Sequence, residues 1–266
     1  RYVVRNLVYK NGELYDEDKC YSESGSSKIS SVPALVLGDL HFPEESESSI
    51  AKTHKHIRMF NPKVVAAGDW CSYNSINHHT ANQAFTKLKN RSEKDATLAI
   101  ELKNAISSLN SLTKPYPNTE FKIVYSNHDK FVISFLNDGL FVKDVNNAEI
   151  GCELFLNLLR GQPLFKDQIN ENVTFLTEYD EFEVDGIDLS NHGHVGVAGS
   201  RGNPKTYTKL CEKAITGHTH SPALEGNVVV VGTNSRLKLN YTSNISNWAF
   251  ANAVVYPNGT IQLLLK

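Results

Sequence analysis

The chain has no long hydrophobic run and no cysteine motif, and both absences exclude classes of protein. No apolar stretch in its 266 residues reaches the ~18 that a helix needs to span a bilayer, so we expect no membrane partner. The four cysteines lie far apart without a C-x-x-C pair, which makes a structural zinc site improbable. We therefore expect free thiols in a reducing compartment.

A large excess of one charge is missing as well, since 29 acidic residues face 27 basic ones and the net charge is −2. This balance argues against a tail-like or globally basic nucleic-acid binder. It does not exclude DNA, because a local basic surface and metal ions can hold phosphates. Methionine is also scarce: Met59 is the single one and the chain starts at Arg1, so we expect a fragment of a longer protein.

What the sequence does contain is enough apolar material for a sizeable core, 40% of all residues. We predict that residues 1–32 form a lead-in, with a hairpin turn at Asn11-Gly12 and a Ser/Gly-rich loop or linker at 22–31. Residues 33–266 are predicted to form one large domain.

Strands and helices alternate in the first part of this domain, and strands dominate from about Val173 onward. A helix is predicted at 46–60, apolar residues at helical spacing predict a long one at 82–112, and a polar helical region is predicted to include 149–159. Short apolar runs predict strands at 33–39, 63–69, 121–125, 186–189, 214–216, 228–231, 250–256 and 260–265. This order favours a layered α/β fold over an all-β one.

Five short polar groups each follow a predicted strand. They are G-D-L-H at 38–41, A-G-D-W at 67–70, S-N-H-D at 126–129, N-H-G-H at 191–194 and G-H-T-H at 217–220. Open α/β sheets place ligands at the carboxyl ends of strands, where these groups would meet. Together they supply enough oxygen and imidazole ligands for two metal ions, and two ions about 3.5–4 Å apart are the usual clamp for in-line attack at phosphorus.

Each group taken alone has an ordinary explanation. A lone histidine in a strand is more often a core or surface residue than a ligand, and Gly-Asp at a strand end is a common turn. Five such groups, all placed after apolar strands, reverse that balance and favour a dinuclear metal site. Because the ligands offer only nitrogen and oxygen, Mn²⁺, Mg²⁺, Fe and Zn²⁺ all fit, and the mixed set of Asp, His and Asn favours Mn²⁺.

In this order, D-x-H, G-D, N-H-D, H-G and G-H-x-H resemble the signature of the calcineurin-like metallophosphoesterase superfamily, over residues 33 to about 235. The resemblance implies an α/β fold of the four-layer α/β/β/α metallophosphoesterase sandwich type, with residues 33–266 as its catalytic domain. It implies one metal held by Asp39, His41, Asp69 and His220. It implies a second metal held by Asp69 as a bridge, Asn127, His192 and His218.

The same resemblance gives two further residues a catalytic role. His128 would stand over the scissile phosphate, and Asp129 would orient its ring. Two positions depart from the family pattern: Ser126 replaces the usual glycine, and His194 follows His192 two residues on. The choice between these two histidines stays open, although the H-G step favours His192 as the ligand.

The last third of the chain, with H-G-H-V-G-V-A-G-S-R-G and A-I-T-G-H-T-H-S-P, resembles the phage-encoded branch of this superfamily, which includes host-DNA-degrading DNases of T-five-like phages. This resemblance implies a phosphodiesterase that cuts DNA in the host cytoplasm, and it leaves a homo-oligomer open. Candidate substrate contacts are His79, His194, Arg201 and Arg236. The arginines are chosen because a guanidinium suits bidentate contact with phosphate.

Three alternatives remain at this point. A phosphomonoesterase, such as a protein phosphatase, usually carries an arginine just after the G-D segment, and the stretch from Gly68 to Tyr73 has none. A small cyclic-nucleotide phosphodiesterase of the same superfamily is the second. A non-catalytic scaffold with a relict site is the third, and it is disfavoured because no ligand position has been lost.

Overall fold

A computed structural model describes residues 5–76, 97–162, 164, 168–239 and 245–265. The fold is mixed α/β, with three β-sheets and five α-helices in those residues. The first sheet is antiparallel and contains β1 (Tyr9–Lys10), β2 (Glu13–Asp16), β3 (Lys19–Ser22) and β4 (Gly25–Lys28). No helix within the described ranges is both long enough and apolar enough to cross a membrane.

The alternating part of the chain follows this hairpin sheet. Its elements are β5 (Val32–Val36), α1 (Glu47–Phe60), β6 (Pro62–Ala67), α2 (Leu98–Thr113), β7 (Glu120–Ile123), α3 (Asp129–Asn137), α4 (Ala148–Leu159) and β8 (Val173–Phe175). The strand-rich part contains β9 (Glu183–Val184), β10 (Ile187–Asp188), α5 (Pro204–Tyr207), β11 (Ala214–Thr216), β12 (Ala223–Glu225), β13 (Val228–Val230), β14 (Ala251–Val255) and β15 (Ile261–Leu265).

Two sheets carry the body of the molecule. The six-stranded sheet has the order β15-β14-β5-β6-β7-β8, in which β5 to β8 are parallel and β14 and β15 are antiparallel. The five-stranded sheet has the order β12-β13-β11-β10-β9, with β10, β11 and β13 parallel. The parallel strands read as continuous apolar runs because both of their faces are buried.

The helices on the outer face of the six-stranded sheet form where the sequence places apolar residues at helical spacing. In α1 the buried side chains recur at that spacing, ending with Ile57 and Phe60. Asn61 then adopts a left-handed φ of 44° and its N–H donates to the carbonyl of Ile57, and Pro62 begins the next strand. Helix α2 is N-capped by Thr97, whose side-chain oxygen accepts from the N–H of Ile100.

The core has two main apolar layers. One lies between the helices and the six-stranded sheet, where Leu35, Phe121 and Leu109 are 2% exposed or less. The other lies between the two sheets and joins Ala253 to Ile215 and their neighbours. Burying one such aliphatic or aromatic side chain stabilises the fold by about 1.5–3 kcal/mol. The two sheets are thereby held face to face.

The far side of the five-stranded sheet is covered differently. There Tyr207, from the single turn α5, packs on Ala214, Val228 and Val230. Within the described part of the chain, this one turn is the helical cover found on that side. The four-layer α/β/β/α arrangement therefore stays a prediction.

The predicted elements agree with the structure except in two places. The helix predicted over 82–112 begins at Leu98 among the described residues, and residues 77–96 lie outside them. The stretch 22–31, predicted to be a loop or linker, contains β4. The Ser/Gly-rich composition favoured a loop there, but β4 is held to β3 by backbone hydrogen bonds, which form whatever the size of the side chains. The hairpin turn at Asn11-Gly12 is confirmed between β1 and β2.

The hairpin sheet packs onto the main body at the end of β14 and β15. The ring of Tyr15 stacks on that of Tyr256 with centroids 4.7 Å apart, and the Tyr256 hydroxyl donates to the carbonyl of Glu17. The Asn6 side chain donates to the carbonyl of Ile261. These contacts join the predicted lead-in to the six-stranded sheet, while the proposed domain boundary at 32/33 stays a prediction.

Candidate metal centre

The five polar groups meet at one end of the two sheets. The groups that follow β5, β6 and β7 extend from parallel strands of the six-stranded sheet. The groups that follow β10 and β11 extend from parallel strands of the five-stranded sheet. Because the sheets lie face to face, all five strand ends converge. The sequence prediction of a shared edge is confirmed for these elements.

The tightest cluster contains Asp39, His41, Asp69 and His220. Each offers one ligand atom, and these atoms all lie within 4.8 Å of one another. Nε2 of His41 is 2.8 Å from Nε2 of His220 and 3.3 Å from Oδ2 of Asp69. Nε2 of His220 is 3.3 Å from Oδ2 of Asp39. All four side chains are buried, and the group could hold a metal ion.

The residues predicted for a second ion lie beside this cluster. Nε2 of His192 is 3.3 Å from Oδ2 of Asp69, which is the carboxylate predicted to bridge. Nδ1 of His218 is 3.0 Å from Oδ1 of Asn127. The rings of His192 and His218 have centroids 5.4 Å apart. The structure thus brings all seven predicted metal-binding residues into one neighbourhood.

Unpaired atoms in this neighbourhood fit a cation. Six buried side-chain atoms of the predicted metal-binding residues have no hydrogen-bond partner among the described residues: Oδ1 of Asp39, Oδ1 of Asp69, both ring nitrogens of His192 and one ring nitrogen each of His41 and His220. Leaving a buried polar atom unpaired costs about 1–3 kcal/mol. Such a concentration of unpaired carboxylate and imidazole atoms fits a divalent ion, to which they would donate lone pairs.

The backbone of the site is held in an uncommon conformation. Positive φ angles occur at His41 (51°), Asp69 (42°), His218 (71°) and His220 (56°). Asp and His tolerate this region better than most side chains, but each such residue stores some strain. Strain of this kind concentrates at functional sites, where the surrounding structure imposes it.

Glycines let the loops approach one another this closely. A Cβ at Gly68 would collide with Nδ1 of His192, and a Cβ at Gly217 would collide with Oδ1 of Asp39. Each of these glycines directly precedes a metal-ligand candidate, Asp69 and His218 respectively. The Gly-Asp and Gly-His pairs in the sequence therefore reflect crowding around the site.

Charge divides the histidines of the site. Burial lowers the pKa of His41 well below its usual value, and burial together with His192 lowers the pKa of His218 to about 4. Burial opposes protonation of His192 too, but the Asp69 and Asp39 carboxylates outweigh it and raise its pKa to about 9. The neutral imidazoles already have the form that binds metals.

His128 lies beside the cluster with one ring nitrogen engaged. Its Nδ1 is 2.7 Å from the carbonyl of Ser72, to which it donates, and its ring centroid is 4.8 Å from that of His41. The second nitrogen, Nε2, remains for another role. The Ser72 carbonyl is the hydrogen-bond partner of this ring in the structure, and a role of Asp129 in orienting it stays a prediction.

The Asp129 carboxylate closes its own turn and contacts the neighbouring strand. Its Oδ2 accepts from the N–H and the hydroxyl of Ser126, both at 2.9 Å, and its Oδ1 accepts from Nε1 of Trp70 at 3.2 Å. Ser126, the departure from the family glycine, thus stabilises the loop that carries Asn127 and His128. Burial raises the pKa of Asp129 to about 6 against the lowering effect of these hydrogen bonds.

The candidate substrate contacts are dispersed. His194 lies beside His192, with the two ring centroids 5.5 Å apart. Arg201 is exposed on the loop after β10. Arg236 forms an ion pair with the buried carboxylate of Glu44. His79 lies outside the described residues. Between the two histidines, His192 is the one that contacts the carboxylates.

Some residues at the site were not found from the sequence. Trp248 packs edge-on against His220 with ring centroids 4.2 Å apart. It precedes β14 and carries no motif, so no local signal connects it with a histidine 28 positions earlier in the chain. Ser72 could have been suspected from the sequence, because it comes soon after the Gly-Asp pair. No sequence pattern, however, indicates that its backbone carbonyl points toward His128.

Comparison with known proteins gives one sequence relative. No family model matches the chain. The chain is 29% identical over 288 residues to Protein A1 of Escherichia phage T5, in an alignment that covers 99% of this chain and 51% of that protein. The chain therefore spans about half the length of this relative.

Among solved structures, the chain is similar to the crystal structure of Pseudomonas putida nuclease MPE. The two are 9% identical with a TM-score of 0.41, and the superposition covers 97% of this chain and 98% of that chain. A likeness at that level supports no inference about fold or function. What is confirmed from the sequence analysis is similarity to a phage protein over nearly the whole chain.

Proposed function

We propose that this chain is a metal-dependent phosphodiesterase that hydrolyses DNA with two divalent ions, Mn²⁺ being favoured. The observation that carries the proposal is the buried group of Asp39, His41, Asp69 and His220, whose ligand atoms lie within 4.8 Å of one another. Unpaired atoms of the adjacent His192 support a second ion. The proposed family is the calcineurin-like metallophosphoesterase superfamily.

Each protein group has a part in the proposed reaction. When bound, the ions supply Lewis acidity and lower the pKa of water. The carboxylate of Asp69 lies between His41 and His192 and fixes the distance between the two halves of the site. His128, held through Nδ1, presents Nε2 to stabilise charge on the phosphate or to protonate the leaving oxygen.

DNA is proposed as the substrate for two reasons. The arginine that phosphatases usually carry after the Gly-Asp pair is missing between Asp69 and Tyr73. The chain is similar to a phage protein over nearly its whole length, and the sequence motifs of its last third resemble those of phage DNases. Both points favour a diester over a monoester.

The function is tested by comparing DNA with a phosphomonoester as substrates, and by comparing the wild-type protein with a variant that lacks the Asp69 carboxylate. With Mn²⁺ or Mg²⁺ we expect cleavage of plasmid or linear DNA and little hydrolysis of p-nitrophenyl phosphate. Asp69→Asn should reduce DNA cleavage by at least about 10–100-fold, the loss seen when a residue that merely supports a metal ligand is changed. Elemental analysis should show the loss of both ions.

Asp138→Asn is the matched control, because Asp138 is exposed at the end of α3. It should leave activity and metal content unchanged. Rapid hydrolysis of phosphomonoesters without DNA cleavage would contradict the nuclease and favour a phosphatase. Full activity of Asp69→Asn would contradict the metal assignment.

A further inference from the structure

A cavity of about 250 Å³ lies beside the proposed metal centre, and His192 is one of its lining residues. It is lined by Tyr125, from the loop between β7 and α3, and by Lys130, from the first turn of α3. The loop after β10, with His194, also lines it, as do Tyr207 and Cys211. A group bound in this cavity would lie directly beside the proposed metal centre.

His194 lines this cavity and has an unsatisfied polar atom. Its Nε2 is buried and has no hydrogen-bond partner among the described residues. Its ring is flanked by His192 at 5.5 Å and by Tyr125 at 6.2 Å between centroids. An unpaired buried nitrogen is costly, so a ligand that supplies its partner would be stabilised here.

The other lining groups specify what kind of ligand fits. The half-buried ring of Tyr125 offers an apolar surface, and the ammonium of Lys130 offers one positive charge. The carboxylate of Glu178 also lines the cavity, which disfavours a second anionic group but accepts hydrogen bonds from amino groups. A flat polar group with one attached phosphate satisfies all three.

Resting on the proposed function, we propose that this cavity binds one nucleoside of the DNA strand beside the scissile phosphate. Its base contacts the Tyr125 ring and hydrogen bonds to His194, and the phosphate that follows it lies at Lys130. Aromatic contact of this kind tolerates any base, because every base has a π-face. The subsite would therefore hold the strand in register without selecting a sequence.

The test uses single-stranded oligonucleotides in which one abasic nucleotide is moved stepwise past the cut site. With the wild-type protein and Mn²⁺, one position should show a kcat/KM lowered by roughly 5–100-fold, the value of one stacked base. In Tyr125→Ala the penalty at that position should shrink, because the stacking contact has already been lost and only the hydrogen bond to His194 remains to be lost. Tyr125→Phe keeps the ring and should retain the penalty.

Tyr21→Ala is the matched control, because Tyr21 lies on β3 of the hairpin sheet. It should show the wild-type pattern. The subsite is overturned if DNA is cleaved but no abasic position carries a penalty, or if the penalty in Tyr125→Ala is as large as in the wild-type protein. A wild-type protein that cleaves no DNA at all overturns the proposed function instead.

A second variant tests the phosphate end of the cavity without changing the ring. Lys130→Ala should lower the slope of log KM against log salt by about one unit for DNA, as expected when one phosphate contact is lost. An unchanged slope in a folded Lys130→Ala protein contradicts the proposed contact. This measurement decides the matter even if Tyr125→Ala does not fold.

Discussion

At the scale of single residues, His192 differs from the other histidines of the site. The Asp69 and Asp39 carboxylates raise its pKa to about 9, so it carries a proton at neutral pH. His41 and His218 are neutral there because burial lowers their pKa values. Since only a deprotonated imidazole binds a metal, an ion that enters next to Asp69 must displace the proton from His192.

This difference predicts proton release on metal binding. Titration calorimetry with Mn²⁺ at pH 7, in buffers of different ionisation enthalpy, should detect about one proton released per chain. The released fraction should fall as pH rises through about 9, where His192 is already deprotonated. His192→Ala should release less at pH 7. Binding at pH 7 without proton release would show that His192 is not displaced by the ion.

His128 makes a second prediction at this scale. His128→Ala should keep the metal content and lower turnover by roughly 10²–10⁴-fold, the range for loss of a general acid or a charge-stabilising group. Metal analysis and DNA cleavage on the same sample separate the two effects. His54→Ala serves as the control. His54 lies on α1 and hydrogen bonds to Tyr116, which comes just before the start of β7, whereas His128 follows the end of that strand. An emptied metal site in His128→Ala would contradict the role assigned.

At the scale of elements, the loops after β5, β6 and β11 are crowded against one another. Gly217 lies where a Cβ would meet the Asp39 carboxylate, and the N–H of His218 donates to the same carboxylate at 2.7 Å. The loop after β11 therefore orients a residue that comes from another sheet. Strand ends from two sheets have to fit together before any ion can be held.

Gly217→Ala should disturb this fit. The added methyl group displaces Asp39, so we expect metal content to fall and stability to drop by about 1–3 kcal/mol, as for other overpacked sites. Gly139→Ala is the control, since Gly139 has open space but a φ of 63°. It should cost roughly 1 kcal/mol through backbone strain alone and leave metal content intact. Chemical denaturation and elemental analysis measure both, and equal metal loss in the two variants would refute the crowding argument.

At the scale of the whole molecule, the net charge of −2 means that the proposed contact with DNA depends on local positive surfaces. Arg201 is exposed near the site, on the loop that follows His194. Arg236 is already paired with Glu44, whose carboxylate would be left buried and unpaired by its removal. Arg201 is therefore the cleaner test of a phosphate contact.

Arg201→Ala should reduce DNA cleavage more than hydrolysis of a small aryl phosphodiester, because only the polymer reaches the rim of the site. The slope of log binding constant against log salt concentration should become shallower by about one unit, the change expected when one phosphate contact is lost. Arg160→Ala, which removes an exposed arginine at the end of α4, provides the control. An equal loss on both substrates would mean that Arg201 acts on the site itself instead of on the strand.

The sequence by itself determined the elements and the residue types that end them. Helical spacing in α1 stops at Asn61 and Pro62, so both the helix and its end were predictable from local preferences. The apolar runs before Asp39, Asp69 and His218 are buried strands, as their composition required. The presence of nitrogen and oxygen ligands after five strands was likewise a property of the sequence.

The tertiary structure alone decided which of these groups touch. The Ser72 carbonyl reaches a histidine 56 positions away, and Trp248 reaches His220 across 28. The cavity that joins Tyr125 to His194 exists only between two loops of different sheets. Local periodicity reports which face of an element is buried. It holds no information on contacts between distant loops, because these depend on how the two sheets pack.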